Sequence, residues 1–196
     1  MNRMYGIVAG LVLCAGSVAS GQGVGRYLVE YEYGPGGVVS PTSPTVTVRI
    51  SVDRGGIGYA FAMSRFRLAA GDGRWEFVNW GELEVGELWS RVTGQGTAEL
   101  DVLAVQDNTP DPWPYKIHAN PVNPIRILTA TWTAQGFHPR MVPTSTTTTD
   151  MRYYLRFHSQ QMAPLSPVEL DSSIQVIPAP AGAALLMLAG VRRRRT

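Results

Sequence analysis

The chain is 196 residues long, 44% hydrophobic and 16% charged, with 17 Lys plus Arg against 15 Asp plus Glu, 21 Gly, 14 Pro and one Cys. These totals describe one globular domain of ordinary size and exclude an acidic or basic disordered chain, a collagen and a disulfide-stapled miniprotein. The formal charge of +2 is a product of the ends: taking Arg3, Arg192, Arg193, Arg194 and Arg195 from the 17 cations leaves 12 against 15 anions, so the body is mildly acidic and carries no basic stripe for nucleic acid.

Residues 1–21 begin with Arg3, continue through an apolar stretch over 6–15, and close on the small residues Ser17, Ala19 and Gly21. That order is the layout of a secretory signal peptide, and the apolar stretch is shorter than the roughly 18 residues of a membrane span. Cleavage after Ala19 or after Gly21 fits. Cys14 follows Leu13, where lipidation needs a small residue, so a lipoprotein is disfavoured. After cleavage no cysteine remains, and packing alone must hold the domain together in an oxidising compartment.

From residue 22 to residue 177 short period-two runs are separated by turn residues, the pattern of an all-β domain. Tyr27, Val29, Tyr31 and Tyr33 alternate with Arg26, Leu28, Glu30 and Glu32 until Gly34-Pro35-Gly36-Gly37 stops the run. Val46, Val48, Ile50 and Val52 alternate with Thr45, Thr47, Arg49 and Ser51, and Asp53-Arg54-Gly55-Gly56 turns the chain. Ile57, Tyr59, Phe61 and Met63 share one phase while Phe66 and Leu68 take the other, which places a bulge or bend near Ser64. Gly71-Asp72-Gly73 reads as a hairpin turn. Next, Trp75, Phe77 and Asn79 oppose Glu76, Val78 and Trp80, so one of these tryptophans faces away from the main core.

Val85, Leu88, Trp89 and Val92 have helical spacing weakened by Gly86, consistent with a short helix or an irregular crossing. Ala98, Leu100, Val102 and Ala104 form another alternating set. Prolines 110, 112, 114, 121 and 124 mark residues 106–124 as a surface loop. Residues 125–133 are β-branched and strand-like. The run Thr144-Ser145-Thr146-Thr147-Thr148-Thr149 reads as a polar loop, Met151, Tyr153, Leu155 and Phe157 resume the alternation, Pro164 and Pro167 break it, and a last strand covers 174–177. Seven to nine strands with long loops predict a β-sandwich of immunoglobulin-like, jelly-roll-like or cohesin-like form.

Pro178-Ala179-Pro180 follows that strand, then a small apolar run over 181–191, then Arg192, Arg193, Arg194 and Arg195. Arginines resist translocation, so during export this end would stall with its basic cluster in the cytoplasm and the preceding domain outside. The order resembles the PEP-CTERM sorting tail of exported bacterial proteins, in the relaxed variant where Ala179 stands in the place of the usual Glu. The resemblance covers about residues 176–195. It implies recognition by an exosortase-like sorting machinery and transient or permanent membrane attachment at the C-terminus. The expected organisation is therefore a signal peptide over 1–21, a β-sandwich over 22–177 and a sorting tail over 178–196. With no stalk before Pro178, the domain would sit close to the membrane.

Local catalytic patterns are absent: no Gly-x-Ser-x-Gly, no His-Glu-x-x-His and no phosphate-binding glycine loop. His118, His138 and His158 are about twenty residues apart and would have to converge in space to bind a metal. Asp107 and Asp111 offer oxygen ligands for calcium in one loop, although an Asx-stabilised turn explains them equally. Glu82 with Glu84 and Glu99 with Asp101 each lie at strand spacing, which puts both carboxylates on one solvated face. Flat aromatic rings suit sugar faces, and the candidates are Trp113 and Tyr115 together with the outward member of Trp75 and Trp80. The leading expectation is a non-enzymatic structural or adhesive protein of the cell surface or matrix that needs no cofactor. A carbohydrate-binding module for matrix polysaccharide is the alternative, and a secreted hydrolase with a dispersed site is the third reading.

Overall fold

A computed structural model describes residues 23–82, 90–106, 121–156, 161–168 and 171–178. The described chain runs through β1 (Val24–Tyr33), β2 (Thr45–Asp53), β3 (Ala60–Ala70), β4 (Gly73–Trp80), β5 (Arg91–Thr93), β6 (Glu99–Val105), β7 (Ile125–Ala134), β8 (Arg140–Tyr154), β9 (Met162–Pro164), β10 (Ser166–Val168) and β11 (Asp171–Val176). One sheet has the order β10-β1-β2-β7-β4 and the other β11-β8-β3-β6-β5, with β9 paired to the end of β8. This is the expected all-β sandwich, and no helix occurs among the described residues.

The period-two pattern positions the core. Val46, Val48, Ile50 and Val52 are wholly buried on the inner face of β2, against Tyr27 of β1 and Trp132 of β7 in the same core cluster. Phe66, Leu68, Leu100, Val102 and Val142 supply the other sheet's side of that cluster. Each such side chain contributes about 1.5–3 kcal/mol relative to leaving it in water. Val46, Val48, Ile50 and Val52 pair with one partner strand through Tyr33, Tyr31, Val29 and Tyr27, so alternation in both strands fixes the register.

Three segments differ from the sequence expectation. The Gly71-Asp72-Gly73 segment is not a hairpin, because β3 and β4 belong to opposite sheets. It is a corner: Asp72 takes φ 56°, and its carbonyl accepts from the Gln135 amide at 2.9 Å. The bulge or bend expected near Ser64 is present: the register against β8 slips between Phe61 and Met63, at Ala62, and again between Arg65 and Phe66.

The Thr144–Thr149 run is the middle of the longest strand, not a loop. Threonine is β-branched and favours a pleated surface, and its hydroxyl is tolerated inside when a partner is supplied. Tyr31 supplies one, its hydroxyl lying 2.6 Å from that of Thr144, while Thr148 donates to the Tyr27 hydroxyl at 3.2 Å. Tyr27 in turn bonds the buried Ser64. A polar network therefore ties β1 of one sheet to β3 and β8 of the other.

Pro164 and Pro167 do not simply break the chain but lie in the three-residue strands β9 and β10. Between them Leu165 is buried, its amide donates to the Met151 carbonyl at 2.8 Å, and the chain passes from one sheet to the other. Residues 83–89, which hold the expected irregular crossing apart from Val92 of β5, and residues 107–120 lie outside the described residues.

Candidate functional site

The outer face of the β11-β8-β3-β6-β5 sheet carries charged side chains on the adjacent strands β8, β3, β6 and β5. Because Phe66 and Leu68 point inward, Arg65 and Arg67 of β3 point outward. The register sets Arg67 between Asp101 of β6 and Thr147 of β8, and sets Arg65 between Leu103 and Asp150. Arg91 of β5 stands opposite Leu103. Arg67 bonds Asp101 at 3.2 Å and Glu99 at 3.4 Å, and Arg152 bonds Asp150 at 2.9 Å. Both arginines are held above their ordinary pKa, first by the carboxylate hydrogen bond and then by the neighbouring negative charge. Arg65 and Arg91 have no ion-pair partner among the described residues, so two positive groups remain available on this face. Arg65, Phe66, Arg67, Asp101, Thr147 and Thr149 line a shallow depression of about 420 Å³.

Glu99 and Asp101 lie on one exposed face of β6, as their spacing requires, and they neutralise Arg67 rather than face each other across a cleft. Glu82 approaches Arg126 at 4.0 Å and accepts from its amide at 3.3 Å, and Glu84 is outside the described residues. His138 is exposed beside Arg140, at the start of β8. His118 and His158 lie outside the described residues. Among the described residues no three ligating side chains converge.

Of the two β4 tryptophans, Trp75 is fully buried opposite Trp132, so it has no face for a sugar. Trp80 is half-buried at the edge of the sheet, its ring 4.9 Å from that of Phe77. Trp113, Tyr115, Asp107, Asp111, Ala179, Pro180 and the four terminal arginines are outside the described residues. Pro178 is described, two residues beyond β11.

Sequence reasoning did not single out Arg65 or Arg91. The signal was present in Arg65-Phe66-Arg67, a polar-apolar-polar triplet that becomes a surface feature only when β6 and β8 are known to flank it.

No protein-family model matches the chain, and no curated protein matches it in sequence. Among solved structures, the seventh ScaB type I cohesin from Pseudobacteroides cellulosolvens aligns with TM-score 0.50 and 8% identity, covering 80% of this chain and 94% of that one. CaCohA2 from Clostridium acetobutylicum aligns with TM-score 0.50 and 10% identity over 80% of this chain and 92% of that one. At such identity the likeness establishes the fold, and of the three expected sandwich forms it selects the cohesin-like one.

Proposed function

We propose that the chain is an exported, non-catalytic adhesion or scaffold protein that binds another protein through the outer face of its β11-β8-β3-β6-β5 sheet. The observation that carries the reading is that Arg65 and Arg91, without an ion-pair partner among the described residues, lie with the ion-paired Arg67 on a broad, shallow face rather than in an enclosed cavity. Such a surface suits a macromolecular contact in which charge sets orientation and partner choice. A cohesin-type sandwich supports the same reading.

Delivery is assigned to the two ends. Residues 1–21 act as the export signal, and Pro178-Ala179-Pro180 with its apolar run and Arg192, Arg193, Arg194 and Arg195 form the tail handled by exosortase-like machinery. β11 ends at Val176, so the folded body reaches to within two residues of Pro178.

Surface cross-linking on intact host cells tests the role. The wild-type chain is expected to cross-link to a defined surface protein, and Arg65→Glu combined with Arg91→Glu is expected to lose that product while remaining folded and displayed. An unchanged cross-linking pattern in the double variant, or no product with the wild type, would sink the proposal.

A further inference from the structure

The longest open backbone edge among the described strands belongs to β1. On one side β1 pairs with β2 from Arg26 to Tyr33, but on the other β10 covers only Val24, Gly25 and Arg26. The Ser166 amide donates to the Gly23 carbonyl at 2.9 Å, which fixes the alternation: odd-numbered residues of β1 direct their backbone groups away from β2. Past the end of β10, the amides and carbonyls of Val29, Tyr31 and Tyr33 therefore face outward along the edge, and among the described residues no strand or loop pairs with them.

The other long edges are partly covered. The Gly94–Thr97 turn covers β4, with the Trp75 amide on the Thr97 carbonyl at 2.8 Å, the Gly96 amide on the Trp75 carbonyl at 2.8 Å and the Phe77 amide on the Gln95 side chain at 3.3 Å. Val39 covers the end of β11 through bonds of 3.1 and 2.9 Å to Gln175 and Ile177. An unpaired edge is a template for an added strand, and proteins block edges that they do not use.

The side chains at this edge define what it accepts. Val29, Tyr31 and Tyr33 point toward the seam between the sheets yet are only half-buried, whereas their β2 partners Ile50, Val48 and Val46 are wholly buried. The Tyr31 and Tyr33 rings stack at 6.4 Å and form an apolar ledge. On the outer side Glu30 and Glu32 are exposed; Glu32 pairs with Arg49, and Glu30 has no ion-pair partner among the described residues.

We propose that the β1 edge from Val29 to Tyr33 is a strand-addition site for an extended protein segment with basic residues at alternate positions and apolar residues between them. Backbone bonds supply affinity, Glu30 and Glu32 select the basic side chains, and the ledge takes the apolar ones. A second copy is a poor occupant, because antiparallel self-pairing about Tyr31 sets Glu30 opposite Glu32 of the other chain, twice over. The site is separate from the sheet face carrying Arg65, so either can fail without the other.

Amide hydrogen exchange on the full chain, followed by NMR, tests it with a blocked synthetic peptide alternating arginine and valine, about eight residues long. In the free chain Val29, Tyr31 and Tyr33 are expected to exchange fast while Leu28, Glu30 and Glu32, bonded to β2, are protected. The peptide should protect the first three. Val29→Pro removes an N–H that has no ladder partner, and it should weaken binding about tenfold or more. Glu30→Lys, a surface change, should weaken the arginine peptide and favour its glutamate counterpart. Protection of the three amides in the free chain at every concentration would mean a closed edge and overturn the proposal. Protection that grows with protein concentration alone would make a second copy the occupant, and no protection at millimolar peptide would refute the site.

Discussion

Tyr31→Phe and Thr144→Val, singly and together, test how the two sheets are joined. The Tyr31 hydroxyl lies 2.6 Å from that of Thr144, which is only 3% exposed, while Tyr31 itself is half-buried. Losing the tyrosine hydroxyl forfeits a hydrogen bond with a net value of about 1 kcal/mol and orphans the buried threonine hydroxyl for about 1 more, so Tyr31→Phe should destabilise by about 2 kcal/mol. Thr144→Val leaves the tyrosine hydroxyl able to turn toward water and replaces a buried hydroxyl by a methyl, so its effect should be smaller, about 0.5–1 kcal/mol. In the double variant no orphan remains. It should fall about 1 kcal/mol below wild type, less than the sum of the single changes, giving a coupling of about 1.5–2 kcal/mol. Urea unfolding followed by circular dichroism measures all four proteins, and a constant urea dependence shows that the unfolded state is unchanged. Additive effects, or a neutral Tyr31→Phe, would mean that the threonine run does not face β1 and would refute its placement inside β8.

Arg54→Met should destabilise by about 3 kcal/mol in the same assay, because the 3%-exposed guanidinium donates to the carbonyls of Ile57 at 2.7 Å, Gly58 at 3.1 Å and Pro121 at 2.8 Å, which methionine leaves without a donor. Gly73→Ala places a Cβ 2.2 Å from the Trp132 indole, and this overpacking should lower stability by about 1–3 kcal/mol; a neutral result would show that the Trp75–Trp132 layer can shift. Burial raises the Tyr33 pKa above its ordinary 10.0, outweighing the Gln175 backbone hydrogen bond that lowers it. The folded state therefore holds the proton more tightly than the unfolded chain, and stability should fall as pH climbs from about 10 through the folded-state value, with a shallower fall in Tyr33→Phe.

The strands were legible wherever one face is buried and the other wet. Val46, Val48, Ile50 and Val52 alternate with polar residues because both neighbours of β2 are in place and only one face meets the core. The threonine run misled because its inward members are polar: Thr144 and Thr146 are 3% exposed, and the tyrosine partner that makes the burial of Thr144 tolerable lies 113 residues away. Gly71-Asp72-Gly73 misled for a different reason. Turn chemistry shows that the chain reverses but not whether the next strand joins the same sheet, which is decided by the inward phases of Leu68 and Trp75 meeting across the core. The Arg65-Phe66-Arg67 triplet could not be read as a surface feature, nor the β1 edge as open, because each is defined by neighbours distant in sequence: β6 and β8 for the arginine, the early end of β10 for the edge.

Intact mass spectrometry of the native protein from the membrane, cell-surface and medium fractions tests the proposed export and sorting most directly. A surface or medium species that has lost one segment ending near Ala19 or Gly21 and another beginning near Pro178 to Pro180 is the predicted result, and retention of the C-terminus in the membrane fraction would make the tail a permanent anchor. A chain intact at both ends in the cytoplasm would contradict the account.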